Sequence, residues 1–315
     1  MVSAISRSPA QSWWDPEFAA VAASMTPRAP HTLLEHPYTS DELVSDEALV
    51  ETFDLHRDTL ECNVMGTDLT REDEWSYVDV QSASSAEVLQ AVHDGRLWVN
   101  VVGVKDGPWG RVAGELRDLV QQSVDVPLQR TSLNLVISSP TAMVYYHSDP
   151  NHTLLIHTRG HKRIWVYPAL DSEIVDRNVL QNVFGGQVEE LPYRPEFDER
   201  AACFDLTPGA AVAWSTTAPH RVENVSGLNV SASFNFWTSN VERMRSVMAA
   251  DRYLRRTWHV RIPGRFDAPV RSTAARALAR VGRRLRPEPP IPRLADAPPT
   301  WVLDPSVPSG ARPTQ

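Results

Sequence analysis

Lysine is almost absent from this sequence. Of its 31 basic residues only Lys105 and Lys162 are lysines, so arginine carries nearly all of the positive charge. Acidic residues are more numerous still, and the formal net charge is -8. Binding to a nucleic-acid backbone needs a basic face that neutralises several phosphates, so we expect no nucleic-acid partner. Because the chain uses arginine wherever a generic positive charge would serve, each lysine calls for a specific reason.

Cysteines and long apolar runs are also scarce. Cys62 and Cys203 lie far apart and have no CxxC spacing, so we expect two buried thiols and neither a disulfide framework nor a zinc–thiolate site. No apolar run approaches the ~18 residues that a membrane span needs. The opening residues, MVSAISRSPAQSWWDPEF, lack the apolar core of a signal peptide. We therefore expect a soluble, cytoplasmic protein with no membrane partner.

The first 126 residues have the pattern of a mixed α/β region that packs on the strand-rich region after it. Helices are predicted through DEALVETF after Ser45, through SAEVLQAVHD as far as Gly95, and through GPWGRVAGELRDLVQQ. A strand, RLWVNVVGV, lies between the last two helices. With 42% hydrophobic residues in 315, the chain can bury a substantial core.

Residues 127–238 change to short strands that turn signals separate. The predicted strands are TSLNLVISS, AMVYYHSD, TLLIHTR, KRIWVYP, ACFDL, AAVAW, HRVENV and LNVSASFNFW. They are rich in β-branched and aromatic residues, and Gly160 and Ser226-Gly227 are among the turn signals between them. Eight closely spaced strands predict a barrel or jelly roll. The fold class is thus mainly β with flanking helices.

Residues 239–286 predict two C-terminal helices, and residues 287–315 a proline-rich tail. The first helix, VERMRSVMAADRYLRRTWHV, should bury Val241, Met244, Met248 and Leu254. The second helix is rich in arginine and carries an apolar stripe of Leu278, Val281 and Leu285. We expect this stripe to pack on the barrel or on a second subunit, although the arginines could bind an acidic partner. From Arg286 onward nine prolines predict an extended or disordered tail.

The chemistry-bearing pattern is His147-Ser148-Asp149. Side chains alternate along a strand with period two, so this imidazole and carboxylate can point into one barrel interior. A third ligand should come from a distant strand, and His220 begins one. Two histidines and one carboxylate form the facial triad that suits non-haem Fe(II) and leaves adjacent positions open. His56-Arg57-Asp58 has the same spacing, but it lies outside the strand-rich region and we interpret it as solvated surface.

The sequence around this pattern resembles the JmjC-type (cupin-8-like) branch of Fe(II)- and 2-oxoglutarate-dependent oxygenases, which includes protein asparaginyl and lysyl hydroxylases. The resemblance rests on YYHSDPNHTLLIHTRGHKRIWVYP and PHRVENVSGLNVSASFNFW and covers residues 131–238. It implies a double-stranded β-helix (cupin) barrel with His147, Asp149 and His220 as iron ligands and O₂ as oxidant. It also implies that Lys162 pairs with the distal carboxylate of 2-oxoglutarate. An ammonium on a long stem can reach into a narrow barrel where a planar guanidinium fits less well.

Three further assignments concern the cosubstrate pocket. Asn235 matches the late-strand asparagine of the family, and Thr153 could hydrogen-bond the 2-oxoglutarate carboxylate. Tyr145 points inward and could contact cosubstrate or substrate. The alternatives are a satisfied structural amide, core packing and a buried tyrosine with a satisfied hydroxyl. Leu155 and Trp237 share the inward parity but could equally be core.

The other histidines are not needed for the triad. His157 shares the inward parity and could line the pocket or be a hydrogen-bonded core residue. We expect His152 and His161, which flank turns, to be exposed.

The resemblance predicts an oxygenase that hydroxylates a C–H bond of a protein, peptide or amino-acid-like substrate. It does not identify that substrate, because Pro150-Asn151-His152 replaces an acidic stretch common in the family and Val144 replaces a hydroxylated residue. One alternative is a non-catalytic or regulatory cupin binding domain. Another is a 2-oxoglutarate-independent cupin dioxygenase or isomerase. The resemblance also implies a possible homodimer through the C-terminal helices.

Overall fold

The barrel strands dominate the computed structural model of this chain. It describes residues 32–66, 75–124, 126–169, 171–185, 190–260, 269–287 and 298–314. The strands are β1 (Thr32–Glu35), β2 (Leu60–Val64), β3 (Ser76–Asp79), β4 (Leu97–Val101), β5 (Leu128–Ser138), β6 (Met143–Ser148), β7 (His152–Val166), β8 (Ala202–Leu206), β9 (Ala210–Trp214), β10 (Pro219–Thr238), β11 (Trp301–Leu303) and β12 (Ala311–Pro313). Their order is β1-β9-β7-β10-β5-β4-β2-β3-β11-β12, with β6 on β10 and β8 on β7. The mainly β jelly roll with flanking helices is confirmed.

The long strands β7 and β10 each merge two predicted strands. The predicted turns at Gly160 and Ser226-Gly227 are bends, because β7 continues through the first and β10 through the second, with register shifts in their pairing. Gly160 has φ +84°, and a Cβ there would lie 2.6 Å from the Leu228 carbonyl oxygen. Only glycine tolerates this conformation and this close approach. The bends let both strands continue past the barrel corner.

The N-terminal helices form where the caps predict them. They are α1 (Asp41–Val44), α2 (Asp46–Leu55), α3 (Ser85–Asp94) and α4 (Gly107–Ser123). Ser45 caps α2 by accepting a hydrogen bond from the Ala48 amide at 3.2 Å, and Ser84 and Glu87 form a capping box at α3. The helices pack on the outer face of the sheet, and the buried apolar residues there include Leu49, Val88 and Leu116. Each such side chain contributes roughly 1.5–3 kcal/mol on burial.

His56 was interpreted as surface, and that prediction is wrong. The imidazole is buried at the end of α2, where it donates from Nδ1 to the Thr52 carbonyl at 3.1 Å. Its Nε2 accepts from the Lys105 amide at 3.3 Å, so the ring joins α2 to the start of α4. Cys62 is buried as expected, whereas Cys203 is exposed.

Three helices follow in the C-terminal half: α5 (Arg177–Val183), α6 (Ser239–Trp258) and α7 (Pro269–Leu285). The predicted inward residues of α6 are all buried. On α7, however, Ala275 and Ala279 are the buried residues, and they pack with Tyr253 of α6. The predicted stripe of Leu278, Val281 and Leu285 is 61%, 56% and 73% exposed, so it does not pack on the barrel. The small side chains face α6 because they allow the two helices to approach closely.

The end of the proline-rich tail is folded, which corrects the prediction of an extended or disordered segment. β11 pairs in parallel with β3, joining Trp301 to Val78, and β12 returns antiparallel to β11. Ala311 of β12 is buried, and the Arg96 amide donates to the Ser309 carbonyl at 3.0 Å. The tail therefore extends the N-terminal sheet at its edge. Residues 288–297 lie outside the described part. Among the described residues, no helix is both long and apolar enough to cross a bilayer.

Candidate metal centre

The three predicted ligands meet at one point. Donor atoms of His147, Asp149 and His220 all lie within 4.8 Å of one another. The two imidazole centroids are 4.0 Å apart, and His220 Nε2 is 3.7 Å from Asp149 Oδ2. β6 carries His147 directly opposite His220 of β10, and Asp149 follows just after β6. Two imidazoles and one carboxylate at this spacing fit the facial donor set of a non-haem iron site.

The backbone orients both imidazoles for this purpose. His147 Nδ1 lies 2.7 Å from the Tyr145 carbonyl oxygen, and His220 Nδ1 lies 3.2 Å from the Ala218 carbonyl oxygen. A carbonyl oxygen can only accept, so Nδ1 carries the proton in each ring. Each Nε2 therefore presents its lone pair to the shared point, as a metal ligand must. Desolvation raises the pKa of Asp149, and the neighbouring His147 acts in the opposite direction.

Trp214 is part of this centre although the sequence did not single it out. Its ring centroid lies 4.6 Å from that of His220, and it lines the same cavity. The indole at the end of β9 therefore packs against the imidazole of His220 and restricts its movement. The signal for Trp214 in the sequence was only an aromatic residue at the end of a predicted strand.

A cavity of about 360 Å³ opens from the three ligand side chains. Tyr145 and Leu155 line it, as the inward parity predicted, and so do Lys162 and Asn235, which the family resemblance assigned to the cosubstrate pocket. The wall also includes Ser231 and Ser233 of β10, and residues from β2, β3 and β4 of the N-terminal region. The cavity therefore extends from the barrel interior to β2, β3 and β4. The residues of these three strands that line it form its N-terminal wall.

Lys162 is the cation of this cavity. Its side chain is 3% exposed, and no hydrogen bond or ion pair joins its ammonium to any residue in the described part of the chain. Desolvation by burial lowers the pKa of Lys162 to about 7. An unpaired buried ammonium is costly unless something neutralises it. Its position on the wall of a cavity lets a small anion do so.

Asn235 is held by a polar network behind the cavity wall. Its Oδ1 accepts from Asn151 Nδ2 at 2.9 Å, from Thr153 Oγ1 at 3.2 Å and from Ser233 Oγ at 3.2 Å. These bonds set the orientation of the amide, because only its oxygen can accept. Thr153 is buried and supports Asn235, and it is not among the residues that line the cavity.

Tyr145 joins the metal centre to the N-terminal wall. Its hydroxyl accepts a hydrogen bond from the Gly66 amide at 3.0 Å. Its ring packs on Trp75, with centroids 5.5 Å apart, and Trp75 packs on Trp98 at 5.2 Å. An aromatic wall therefore runs from the strand of the first ligand to β4.

His152, His157, His161 and Trp237 are not among the described residues that line the cavity. His157 is buried outside the cavity wall and lies 3.0 Å from both Ser231 Oγ and the Gly160 carbonyl oxygen. His152 was expected to be exposed, but it is buried because its Nδ1 accepts from the Thr216 amide at 3.0 Å. His161 is partly exposed, with 34% of its side chain accessible. Trp237 packs under the Arg130 guanidinium, 3.9 Å from its centroid.

The N-terminal wall contributes polar residues that the sequence did not single out. Glu61 and Asn63 of β2 and Asn100 of β4 line the cavity. The signal was present as period-two polarity within the strand segments LECNV and LWVNV. Their contact with the barrel could not be inferred locally, because it depends on the pairing of β4 with β5.

Solved structures of Escherichia coli YcfD resemble this structure. One gives a TM-score of 0.52 at 16% identity, over 88% of this chain and 70% of YcfD. A second, described as a ribosomal oxygenase, gives 0.46 at 15% identity, over 82% and 64%. A third, with cobalt and 2-oxoglutarate, gives 0.45 at 14% identity over the same shares. No protein-family model and no curated protein matches the sequence. The chain spans about two thirds of the YcfD chains, and the first comparison shows that it has the jelly-roll (cupin) fold of YcfD.

Proposed function

We propose that this protein is an Fe(II)- and 2-oxoglutarate-dependent oxygenase that hydroxylates a C–H bond of a protein, peptide or amino-acid-like substrate. The observation that carries the proposal is the unpaired Lys162 ammonium in the cavity that His147, Asp149 and His220 also line. A metal donor set alone would suit many cupins. A buried cation beside it, with no carboxylate from the described residues, suits a chelating dicarboxylate cosubstrate.

Each residue has a distinct role in this proposal. His147, Asp149 and His220 would hold the iron. Bound iron would supply the O₂ activation that oxidises the substrate while 2-oxoglutarate is decarboxylated. Lys162 binds the distal carboxylate of 2-oxoglutarate as a point charge.

The neutral side chains fix the position of the cosubstrate. Asn235 faces the cavity with its oxygen already engaged, so its NH₂ is the group that can donate to a ligand oxygen. Thr153 keeps the Asn235 amide in that orientation, which is an indirect form of the cosubstrate role assigned to it from the sequence. Tyr145 lines the cavity and packs on Trp75, so it would contact the cosubstrate or the substrate.

The protein or peptide substrate, the cytoplasmic location and a homodimer are further parts of this proposal. YcfD is described as a ribosomal oxygenase. For the dimer, the support is the exposed stripe of Leu278, Val281 and Leu285 on α7, which a second copy could cover.

An anaerobic titration tests the cosubstrate assignment directly. Fe(II) and then 2-oxoglutarate are added to the protein, and we expect the metal-to-ligand charge-transfer band of a chelated 2-oxoacid. His220→Ala should remove the band, whereas His161→Ala, which changes a partly exposed histidine outside the triad, should keep it. Absence of the band in the parent protein would favour the 2-oxoglutarate-independent alternative. A band without any conversion of 2-oxoglutarate to succinate would favour a non-catalytic cupin.

A further inference from the structure

The side of the cavity that β2 and β4 form carries hydrogen-bond acceptors that no donor among the described residues satisfies. Asn63 and Asn100 line it, at 1% and 8% exposure. In each, the side-chain Oδ1 is buried and has no hydrogen-bond partner among the described residues. A buried polar atom without a partner costs free energy, so two of them on one cavity wall indicate a ligand that donates.

The orientation of Asn100 is fixed by its neighbour. Its Nδ2 donates to Glu61 Oε2 at 3.1 Å, and a carboxylate can only accept, so the Oδ1 of Asn100 must be the free end. Glu61 and Asn100 are direct cross-strand partners of β2 and β4, and Asn63 is the partner of Trp98 in the same ladder. The acceptors therefore lie side by side on rigid strands.

The charge of this wall has one sign. Among the described residues, three carboxylates and one lysine line the cavity, and no arginine does. The proposed cofactor and cosubstrate use Asp149 and Lys162. The charged groups that remain are Glu61 and Glu190, both acidic. Desolvation raises the pKa of Glu61 against the lowering effect of the Asn100 hydrogen bond, so its charged form would gain from a cation.

Aromatic rings complete the wall. Trp98 lies beside Asn63 in the ladder and packs against Trp75, with ring centroids 5.2 Å apart. Indole faces attract cations within about 6 Å of the ring centroid. Carboxylate, amide oxygens and indoles together form a surface that favours positive charge and N–H donors.

We propose that Glu61, Asn63 and Asn100 form a specificity subsite for a cationic, N–H-bearing substrate group, an ammonium or a guanidinium. This inference deepens the proposed function, because it supplies the substrate class that the cavity would hold beside the metal. An anionic group would meet the carboxylate of Glu61. A neutral amide could satisfy Asn63 and Asn100 but would leave that charge unpaired, and an alkyl group would satisfy none of the three.

Binding of short peptides tests this assignment. The probes are acetyl-Gly-Ala-X-Ala-Gly amides in which X is arginine, lysine, citrulline, norleucine, asparagine or glutamate. Binding is measured by calorimetry on protein loaded with Mn(II) and N-oxalylglycine, which are inert in turnover. We expect the arginine or the lysine peptide to bind at least about tenfold more tightly than the four others. Binding of the citrulline or norleucine peptide as tight as that of the charged peptides, preference for the glutamate peptide, or no binding of any peptide would overturn the subsite.

Single substitutions test which residues of the N-terminal wall cause the preference for charged peptides. Glu61→Gln should reduce the preference for the charged peptides to less than about threefold, and Glu61→Lys should reverse it in favour of the glutamate peptide. Asn63→Leu should weaken the charged peptides while leaving the norleucine peptide unaffected. Glu51→Gln, on the exposed face of α2, is the matched control and should change nothing. If Glu61→Lys does not fold, Glu61→Gln decides. A preference that survives Glu61→Gln would contradict the proposal.

The 2-oxoglutarate titration separates this proposal from the one on which it rests. A normal charge-transfer band with no preference among the peptides would remove the subsite alone. A peptide preference without the band would remove the oxygenase assignment and keep the subsite.

Discussion

Two buried cations on neighbouring strands of the barrel have opposite surroundings. Arg221 of β10 is 3% exposed, and it forms ion pairs with Asp198 and Glu223. Its guanidinium also lies 3.4 Å from the centroid of the Trp165 ring. Lys162 of β7 is equally buried and has no such partner among the described residues. Burial acts to lower the pKa of Arg221, but Asp198 and Tyr167 outweigh it and raise that pKa, whereas burial alone lowers the pKa of Lys162.

The difference shows how a structural cation can be distinguished from one that binds a ligand. The chain supplies carboxylates to Arg221, so folding itself neutralises that charge. The described part of the chain supplies none to Lys162, and the desolvation cost remains until a ligand arrives. The cation in the cavity is therefore stabilised by binding, and the cation outside it by folding.

The largest expected effect tests whether the ligand of Lys162 binds beside a metal at all. His147→Ala or Asp149→Ala should lower the conversion of 2-oxoglutarate to succinate by more than about a thousandfold, because the remaining donors cannot hold the iron. Metal content after dialysis should fall in parallel. The control is His93→Ala, a partly exposed histidine near Asp46 that should behave as the parent does. Full turnover in either ligand variant would exclude this metal centre.

The second effect concerns the structural cation. Arg221→Met should lower the free energy of unfolding by about 3–5 kcal/mol, since it leaves Asp198 without its charged partner. Arg163→Met, which breaks the exposed pair with Asp205, should cost no more than about 1 kcal/mol. Urea denaturation of the ligand-free protein gives both values. If Arg221→Met loses no more stability than Arg163→Met, the buried ion pairs of Arg221 contribute no more than an exposed pair does.

The third prediction is a gain in stability on substitution of Lys162, opposite in sign to the loss expected for Arg221→Met. In the folded protein the pKa of Lys162 is about 7, below its ordinary value of 10.5. The native state therefore binds fewer protons than the unfolded state between these two values, and stability rises with pH across that window. At or below pH 7 the whole desolvation cost applies, and Lys162→Met should remove it.

We expect Lys162→Met to stabilise the ligand-free protein by roughly 2–4 kcal/mol at pH 7 while losing most 2-oxoglutarate affinity. Lys105→Met, at the only other lysine, should change stability by less than about 0.5 kcal/mol. Thermal denaturation with and without Mn(II) and 2-oxoglutarate measures both properties. Destabilisation by Lys162→Met in the ligand-free protein would mean that the chain does neutralise this charge.

The metal ligands and the lysine of the cavity could be predicted from the sequence because local patterns indicate them. Period-two alternation placed His147 and Asp149 on one face, and the scarcity of lysine singled out Lys162. The exposure predicted for His152 was wrong because its environment depends on a distant part of the chain. Its partner, the Thr216 amide, lies 64 residues away, and nothing near His152 indicates the contact.

The N-terminal wall of the cavity could not be predicted, because strands that are distant in sequence must pair to form it. Glu61 and Asn100 become a cross-strand pair only when β2 joins β4, and they reach the barrel only when β4 joins β5. The folded tail is a similar case. Trp301 follows a proline-rich segment whose composition indicates disorder, yet β11 finds an open edge at β3. Composition describes a segment by itself, whereas a sheet edge elsewhere in the chain can order it.

The smallest expected effect is the pH dependence of cosubstrate affinity, and it tests the comparison without any mutation. Binding of the 2-oxoglutarate carboxylate requires the ammonium form of Lys162, which in the free protein loses its proton near pH 7. Affinity should be constant below that pH. Above it, each binding event must take up a proton, so the dissociation constant should rise by about tenfold or more between pH 6.5 and pH 8.5. The measurement is calorimetry with Mn(II) in two buffers of different ionisation enthalpy, because proton uptake then appears as a buffer-dependent heat.

Lys162→Arg is the matched control, since a guanidinium stays charged over this range and should give weaker but pH-independent binding. A parent protein with flat affinity and no proton uptake would show that the Lys162 ammonium has a partner already, and the contrast with Arg221 would then fail.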